Sequence, residues 1–135
     1  MIRLRPLATA SLMTVILVSI FFLVKGTFEV KFYNKTGSNI DSLIVGTTFI
    51  GQLSIDDSTS FRGFRKFHFD GSYPYETLTA SIQNKRLCQL NWSWCGTDRK
   101  VESFGIYAFD IKMKSLNGKV GLYLVRHGEK LFSWD

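Results

Sequence analysis

Cys88, Cys95, His68 and His127 are the only cysteines and histidines in the chain, and between them they carry most of the reactive chemistry available to it. Two thiolates and two imidazoles suffice for tetrahedral zinc. Zinc-binding chains, however, bring such ligands in close Cys-Cys and His-His pairs, and these four follow no such spacing. No metal or other cofactor is therefore expected. A hydrolytic triad would need one of the same two histidines. Neither is accompanied by a G-x-S-x-G elbow, an H-E-x-x-H helix, a P-loop or a dinucleotide-binding glycine pattern. No catalytic residue is assigned, and an enzyme is not the expected class. His68 reads as a solvated strand residue and His127 as a turn residue.

The two cysteines have a second use. In an oxidising compartment a Cys88 to Cys95 disulfide would close a loop of about 8 residues and stabilise the fold by about 2 to 3 kcal/mol. Yet Cys88, Leu90, Trp92 and Trp94 share one parity, the mark of a continuous strand from Leu87 to Trp94. Such a strand holds the two thiols about 23 Å apart, beyond disulfide reach. The two readings exclude each other.

Binding chemistry has two candidates. Arg62, Lys66 and His68 fall on one face of a strand expected over Phe61 to Phe69, with Arg65 nearby, and could meet an anionic polymer, lipid headgroups or a glycan. The competing reading is an edge strand charged against aggregation. Trp92, Trp94 and Trp134 could stack on sugar rings, although large aromatics at alternating strand positions also serve as core. Asn34-Lys35-Thr36 and Asn91-Trp92-Ser93 fit the glycosylation sequon, which matters only in a eukaryotic secretory protein.

Which of these surfaces meets which compartment depends on the run from Leu7 to Val24. It is uncharged, follows Arg3 and Arg5 and precedes Lys25. Eighteen residues of helix span about 27 Å, close to the roughly 30 Å of a bilayer core. Its polar members Thr9, Ser11, Thr14 and Ser19 do not gather on one face, which disfavours a helix lying flat in the interface. The run exceeds a usual signal h-region and ends in Leu23-Val24-Lys25-Gly26 with no small-x-small cleavage pattern. An uncleaved single-pass anchor is expected, with a signal peptide cleaved near Gly26 as the alternative. A short leading tail favours the remaining domain outside the cytoplasm, although the flanking charges are nearly balanced.

Residues 26 to 135 make one domain, long enough to bury a core without metal or disulfide. The net charge of +6 falls to +3 once Arg3, Arg5 and Lys25 are set aside, so the high pI argues for no nucleic-acid partner. From Thr27 on, the pattern has period two. Phe28, Val30 and Phe32 alternate with polar neighbours, and Asn34 to Ser38 reads as a turn. Ile40 to Val45 reads as a central strand, and Phe49, Gly51, Leu53 and Ile55 as the next. Leu78, Ala80 and Ile82 face inward, Asn84-Lys85-Arg86 turns, and Cys95 to Lys100 is a loop. Tyr107, Phe109, Ile111 and Met113 share a face, and Asn117-Gly118 is a hairpin signal. A last segment ends Leu131 to Trp134. Eight or nine short strands without intervening helices predict a mainly β domain, an antiparallel immunoglobulin-like sandwich, with a small barrel as the alternative.

One resemblance runs through these elements. Asn34-Lys35-Thr36-Gly37, Ile40-Asp41-Ser42-Leu43, Ile50-Gly51-x-Leu53, Cys95-Gly96-Thr97 and Gly105-x-Tyr107 with Ile111 resemble a family of small uncharacterised bacterial exported or membrane-anchored β-sandwich proteins. It covers most of residues 28 to 113. Membership implies export and no glycosylation, and supplies no catalytic residue, ligand or partner. The resulting expectation is a membrane-anchored extracytoplasmic domain with a binding or structural role at the cell envelope or surface. Its partner would be an envelope protein or glycan; a sugar- or anion-binding module and a secreted enzyme are the alternatives.

Overall fold

Phe28, Val30 and Phe32 are fully buried while Glu29, Lys31 and Tyr33 are only half so, and this alternation makes Phe28–Asn34 the first strand, β1. The computed structural model describes residues 13–16, 18–19, 27–91 and 98–130. Ten more strands follow in chain order. They are β2 (Ile40–Val45), β3 (Thr48–Leu53), β4 (Arg62–Phe64), β5 (Phe67–Asp70), β6 (Tyr73–Pro74), β7 (Leu78–Ile82), β8 (Lys85–Cys88), β9 (Arg99–Glu102), β10 (Gly105–Leu116) and β11 (Lys119–Arg126).

They form three sheets, ordered β11-β10-β1-β4, β3-β2-β7-β8 and β6-β5-β9. All contribute to one core, in which Phe28, Phe67, Phe69 and Phe109 are buried to 1% exposure or less. Phe28 stacks on Phe67 at 5.0 Å and on Tyr107 at 4.8 Å, and Phe64 meets Phe67 edge-on at 5.4 Å. These offset and edge contacts add to what burial alone gives. The four-stranded sheets meet where Gln89, just past β8, bridges in parallel to Leu122 of β11. Leu90 tucks in beside it, donating its N–H to the Leu122 carbonyl at 2.7 Å. Gly121 leaves room for it, since a Cβ there would meet Leu90 Cδ2 at 2.7 Å and the Cys88 carbonyl at 3.0 Å.

The expected mainly β fold with antiparallel hairpins is present, and several details differ. β1 pairs β10 in parallel, Phe28 opposite Gly105 through Asn34 opposite Ile111, so that sheet is mixed. Hairpin chemistry specifies neighbours in sequence, and this pair is closed by the whole intervening domain instead. The continuous strand from Phe61 to Phe69 breaks at Arg65 and Lys66. The bend shifts parity, burying Phe64 with Phe67 and Phe69 and leaving Phe61 51% exposed. A register shift between β2 and β3 near Leu43 and Gly51 does the same to the next hairpin, where Ile50 and Leu53 are buried and Phe49 and Ile55 exposed. β8 ends at Cys88, so the ladder does not run on towards Trp94. Arg99 and Lys100, expected in a loop, belong to β9, whose four residues are paired to β5 through their backbone.

The turn expected at Asn34 to Ser38 is built around a fully buried Asn34. Its Nδ2 donates to the carbonyls of Ser38, Leu53 and Ser54 at 2.8, 3.0 and 3.1 Å, and its Oδ1 accepts from the Thr36 N–H and hydroxyl. A side-chain nitrogen so enclosed is no glycan acceptor in the folded domain, and the first sequon is structural. Asn117 and Gly118 both take positive φ, 51° and 77°, in the expected β10–β11 hairpin.

Residues 13–16 and 18–19 are helical, with Met13, Val15, Ile16 and Val18 exposed by 47 to 64%. Among the described residues no helix is long and apolar enough to cross a membrane. Most of the expected anchor over Leu7 to Val24, the segment Leu131 to Trp134, and Trp92, Trp94, Cys95 and Trp134 lie outside the described residues.

Candidate functional site

Pro74 has no N–H with which to extend the β5–β6 ladder. The chain past it lies along β5 by other means. The Tyr75 N–H donates to the His68 carbonyl at 2.9 Å, and the Glu76 side chain takes the place of a strand partner for the His68 N–H, accepting it on Oε2 at 3.1 Å. The same Oε2 meets His68 Nδ1 at 2.7 Å, and Oε1 accepts the Thr77 N–H at 3.1 Å. Glu76 is thus buried, yet every hydrogen bond holding it is a donor aimed at a carboxylate. With Glu76 as a carboxylate, which only accepts, His68 Nδ1 is the donor of this pair.

β9 forms the other wall. Arg99 lies over the Tyr75 ring at 3.8 Å, a cation–π contact, and its Nε stands 3.9 Å from Asp70 Oδ2. Lys100 Nζ stands 3.7 Å from Glu102. Both distances exceed a hydrogen bond, and both cations are about half exposed. Asp70 is 3% exposed, and its Oδ2 is without a hydrogen-bond partner among the described residues. Between the two walls lies a cleft of about 290 Å³, lined by His68, Tyr75, Glu76, Gln89, Arg99 and Lys100 among others. Its volume is at the lower end of the range for small-ligand sites, about 300 to 1,000 Å³. Arg99 shares one face of the β5–β9 pair with His68 and Asp70, while Lys100 stands opposite Phe69 on the other face and lines the cleft at its edge.

A second histidine and carboxylate occupy the outer side of β1, β10 and β11. His127 Nδ1 meets Asp110 Oδ1 at 2.6 Å, the Gly128 N–H donates to Asp110 Oδ2 at 3.2 Å, and the His127 N–H donates to the Ala108 carbonyl at 2.9 Å. Tyr33 stacks on the His127 ring at 4.0 Å, with Lys31 Nζ 5.4 Å from the Tyr33 centroid. This pair fastens the end of β11 to β10 beneath an aromatic cover.

Tyr107 meets the far end of β9. Its hydroxyl donates to Glu102 Oε2 at 2.6 Å, and that bond, with burial and the carboxylate's charge, raises its pKa above the ordinary 10.0 despite the opposing Arg126. Gly105, at φ 135°, makes this possible, because a Cβ there would meet Tyr107 Cε2 at 2.7 Å.

Of the expected ligand contacts, His68 lines the cleft, while Arg62 lies in another sheet, paired opposite Val30, and Lys66 sits in the exposed bend. They do not share one strand face. Among the described residues Cys88 has no disulfide partner; it is exposed and lines a second hollow of about 380 Å³ with Asn91, Asn117 and Lys119. Its expected partner Cys95 lies outside the described residues, as do Trp92 and Trp94. Among the described residues no three histidine, cysteine or acidic side chains cluster as metal ligands would. Sequence reasoning missed Glu76, Arg99, Lys100, Tyr75 and Gln89. One signal was available for Glu76, which shares the even parity of the buried Leu78, Ala80 and Ile82.

No protein-family model, curated protein or solved structure matches this chain.

Proposed function

We propose that this chain is an extracytoplasmic binding module carried on an N-terminal anchor over Leu7 to Val24, and that the β5–β9 cleft takes the carboxylate or phosphate of a small ligand, an acidic sugar among them. The observation that carries this reading is that Arg99 and His68 line one opening on the same face of the β5–β9 pair. Arg99 supplies a planar fork, held in place against the Tyr75 ring, and is only partly engaged by Asp70 at 3.9 Å. His68, oriented by Glu76, adds a ring nitrogen that donates when protonated and accepts when neutral. Four outward apolar side chains on the helical residues 13–16 and 18 support the anchor, since they are exposed around the helix rather than packed on the domain.

Calorimetry of the full chain in detergent tests the binding. Glucuronate or inorganic phosphate should give a saturable heat, and glucose none. Arg99→Ala should weaken binding about tenfold, the equivalent of roughly 1.4 kcal/mol. Wild-type affinity in Arg99→Ala, or the same heat from glucose, would overturn the assignment.

The Glu76–His68 pair favours a second reading, in which His68 is a general base for a bound substrate. Glu76→Gln separates the two. For a binding module, affinity falls by no more than Arg99→Ala lowers it. For an enzyme, turnover of an ester or phosphoester probe collapses while binding persists.

A further inference from the structure

We infer that the end of the domain where β1 begins is a membrane-contacting rim, in which Phe104 and Ile106 enter the lipid interface and Arg65 and Lys66 bind anionic phospholipid headgroups. The inference rests on the anchor proposed above and adds a second attachment to it. The pairing register places these residues together. Phe28 is opposite Gly105 on one side and Phe64 on the other, so the next residues outward, Phe104 and Arg65, flank the entry of the chain at Thr27. Lys66 follows in the same exposed bend.

Exposure at this end is anomalous for the side chains involved. Phe104 is 73% and Ile106 72% exposed, the two highest values among the exposed large hydrophobics. Both stand on the parity opposite Tyr107, Phe109 and Ile111, and so face away from the core. Arg65 and Lys66 are exposed at the same end across β1, and Glu29 stands opposite Ile106. Exposed aromatic and aliphatic side chains with two basic ones at one end are the composition of an interfacial contact.

Chain length says what covers the rim. Only Lys25, Gly26 and Thr27 separate Val24 from Phe28, and four fully extended steps reach at most about 14 Å. A domain tethered so closely keeps this end at headgroup depth whatever its tilt.

Amide hydrogen exchange on the full chain in nanodiscs of phosphatidylglycerol and of phosphatidylcholine tests the rim. Segments 61–66 and 101–107 should exchange about thirtyfold more slowly in the anionic discs, an effect of the size expected for two basic residues at such a surface. A chain carrying Phe104→Ser, Arg65→Glu and Lys66→Glu should lose that protection while residues 28–34 exchange as before; all three positions are exposed, so the core is untouched. A chain that enters the discs but shows equal exchange in both lipids, or a variant that keeps its protection, overturns the rim and leaves the anchor standing. A chain that does not enter the discs overturns the anchor and the rim together.

Discussion

His68–Glu76 and His127–Asp110 are built alike and placed differently. In each, a buried carboxylate holds an imidazole through Nδ1, at 2.7 and 2.6 Å, and spends its remaining capacity on backbone N–H groups. Each imidazole side chain is a little under half exposed, at 44 and 45%. Chemistry and burial therefore do not distinguish them; surroundings do. His68 opens beside Arg99 in a cleft, whereas His127 lies under the Tyr33 ring where β10 meets β11. In the proposed reading the same pair is ligand-facing at one place and a fastener at the other. A neighbouring guanidinium and an open cleft make the difference.

The comparison breaks most sharply at the carboxylates. Asp110→Ala should cost about 3 kcal/mol of folding stability, because it leaves two donors without their acceptor, and should leave anion binding unchanged. Chemical denaturation of the variant, followed by calorimetry under native conditions, checks both halves. Glu76→Gln should be milder, about 1 to 2 kcal/mol, since an amide oxygen still accepts from one of the two backbone donors. Unlike Asp110→Ala, it should weaken binding as well.

Substitutions of the surroundings sharpen the contrast. Arg99→Ala should change stability by about 0.5 kcal/mol or less, being half exposed, yet lower anion affinity about tenfold. Tyr33→Leu should do the reverse, losing about 1 kcal/mol with the stacked ring and nothing in affinity. Tyr107→Phe removes the bond to Glu102 and should cost about 1 kcal/mol at neutral pH. That bond needs the protonated phenol, and the folded pKa lies above 10.0. Its contribution is therefore complete below pH 10 and disappears as pH rises through the raised value, so the gap between wild type and variant should close only in strong alkali. Denaturation midpoints compared at neutral pH and above pH 10 measure it.

Local signals in the sequence were sound where structure is local. The alternation of Phe28, Val30 and Phe32, the Asn117-Gly118 hairpin and the inward Leu78, Ala80 and Ile82 all stand in the fold. Parity also carried two signals that a polarity-based reading discards. Asn34 continues the phase of Phe32, and Glu76 precedes that of Leu78; both are buried polar groups completed by backbone partners. Where the phase slips, at Gly51 and at Arg65-Lys66, alternation assigns the wrong face to Phe49 and Phe61. A bulge is invisible to a period-two count. The parallel β1–β10 pair and the meeting of β5 with β9 are long-range, and Arg99 to Glu102 has no apolar rhythm because its strand is held by backbone pairing and polar side-chain contacts rather than by core burial. The cleft was out of sight for that reason. Its walls come from segments that no turn connects.

Amide spectra of the full chain during titration with glucuronate or phosphate address the central claim most directly. Resonances of residues 67–77 and 99–102 should move with saturation, while those of 108–111 and 126–128, around the second pair, stay fixed. Shifts centred on His127, or none at either histidine, would contradict the assignment of the β5–β9 cleft as the binding site.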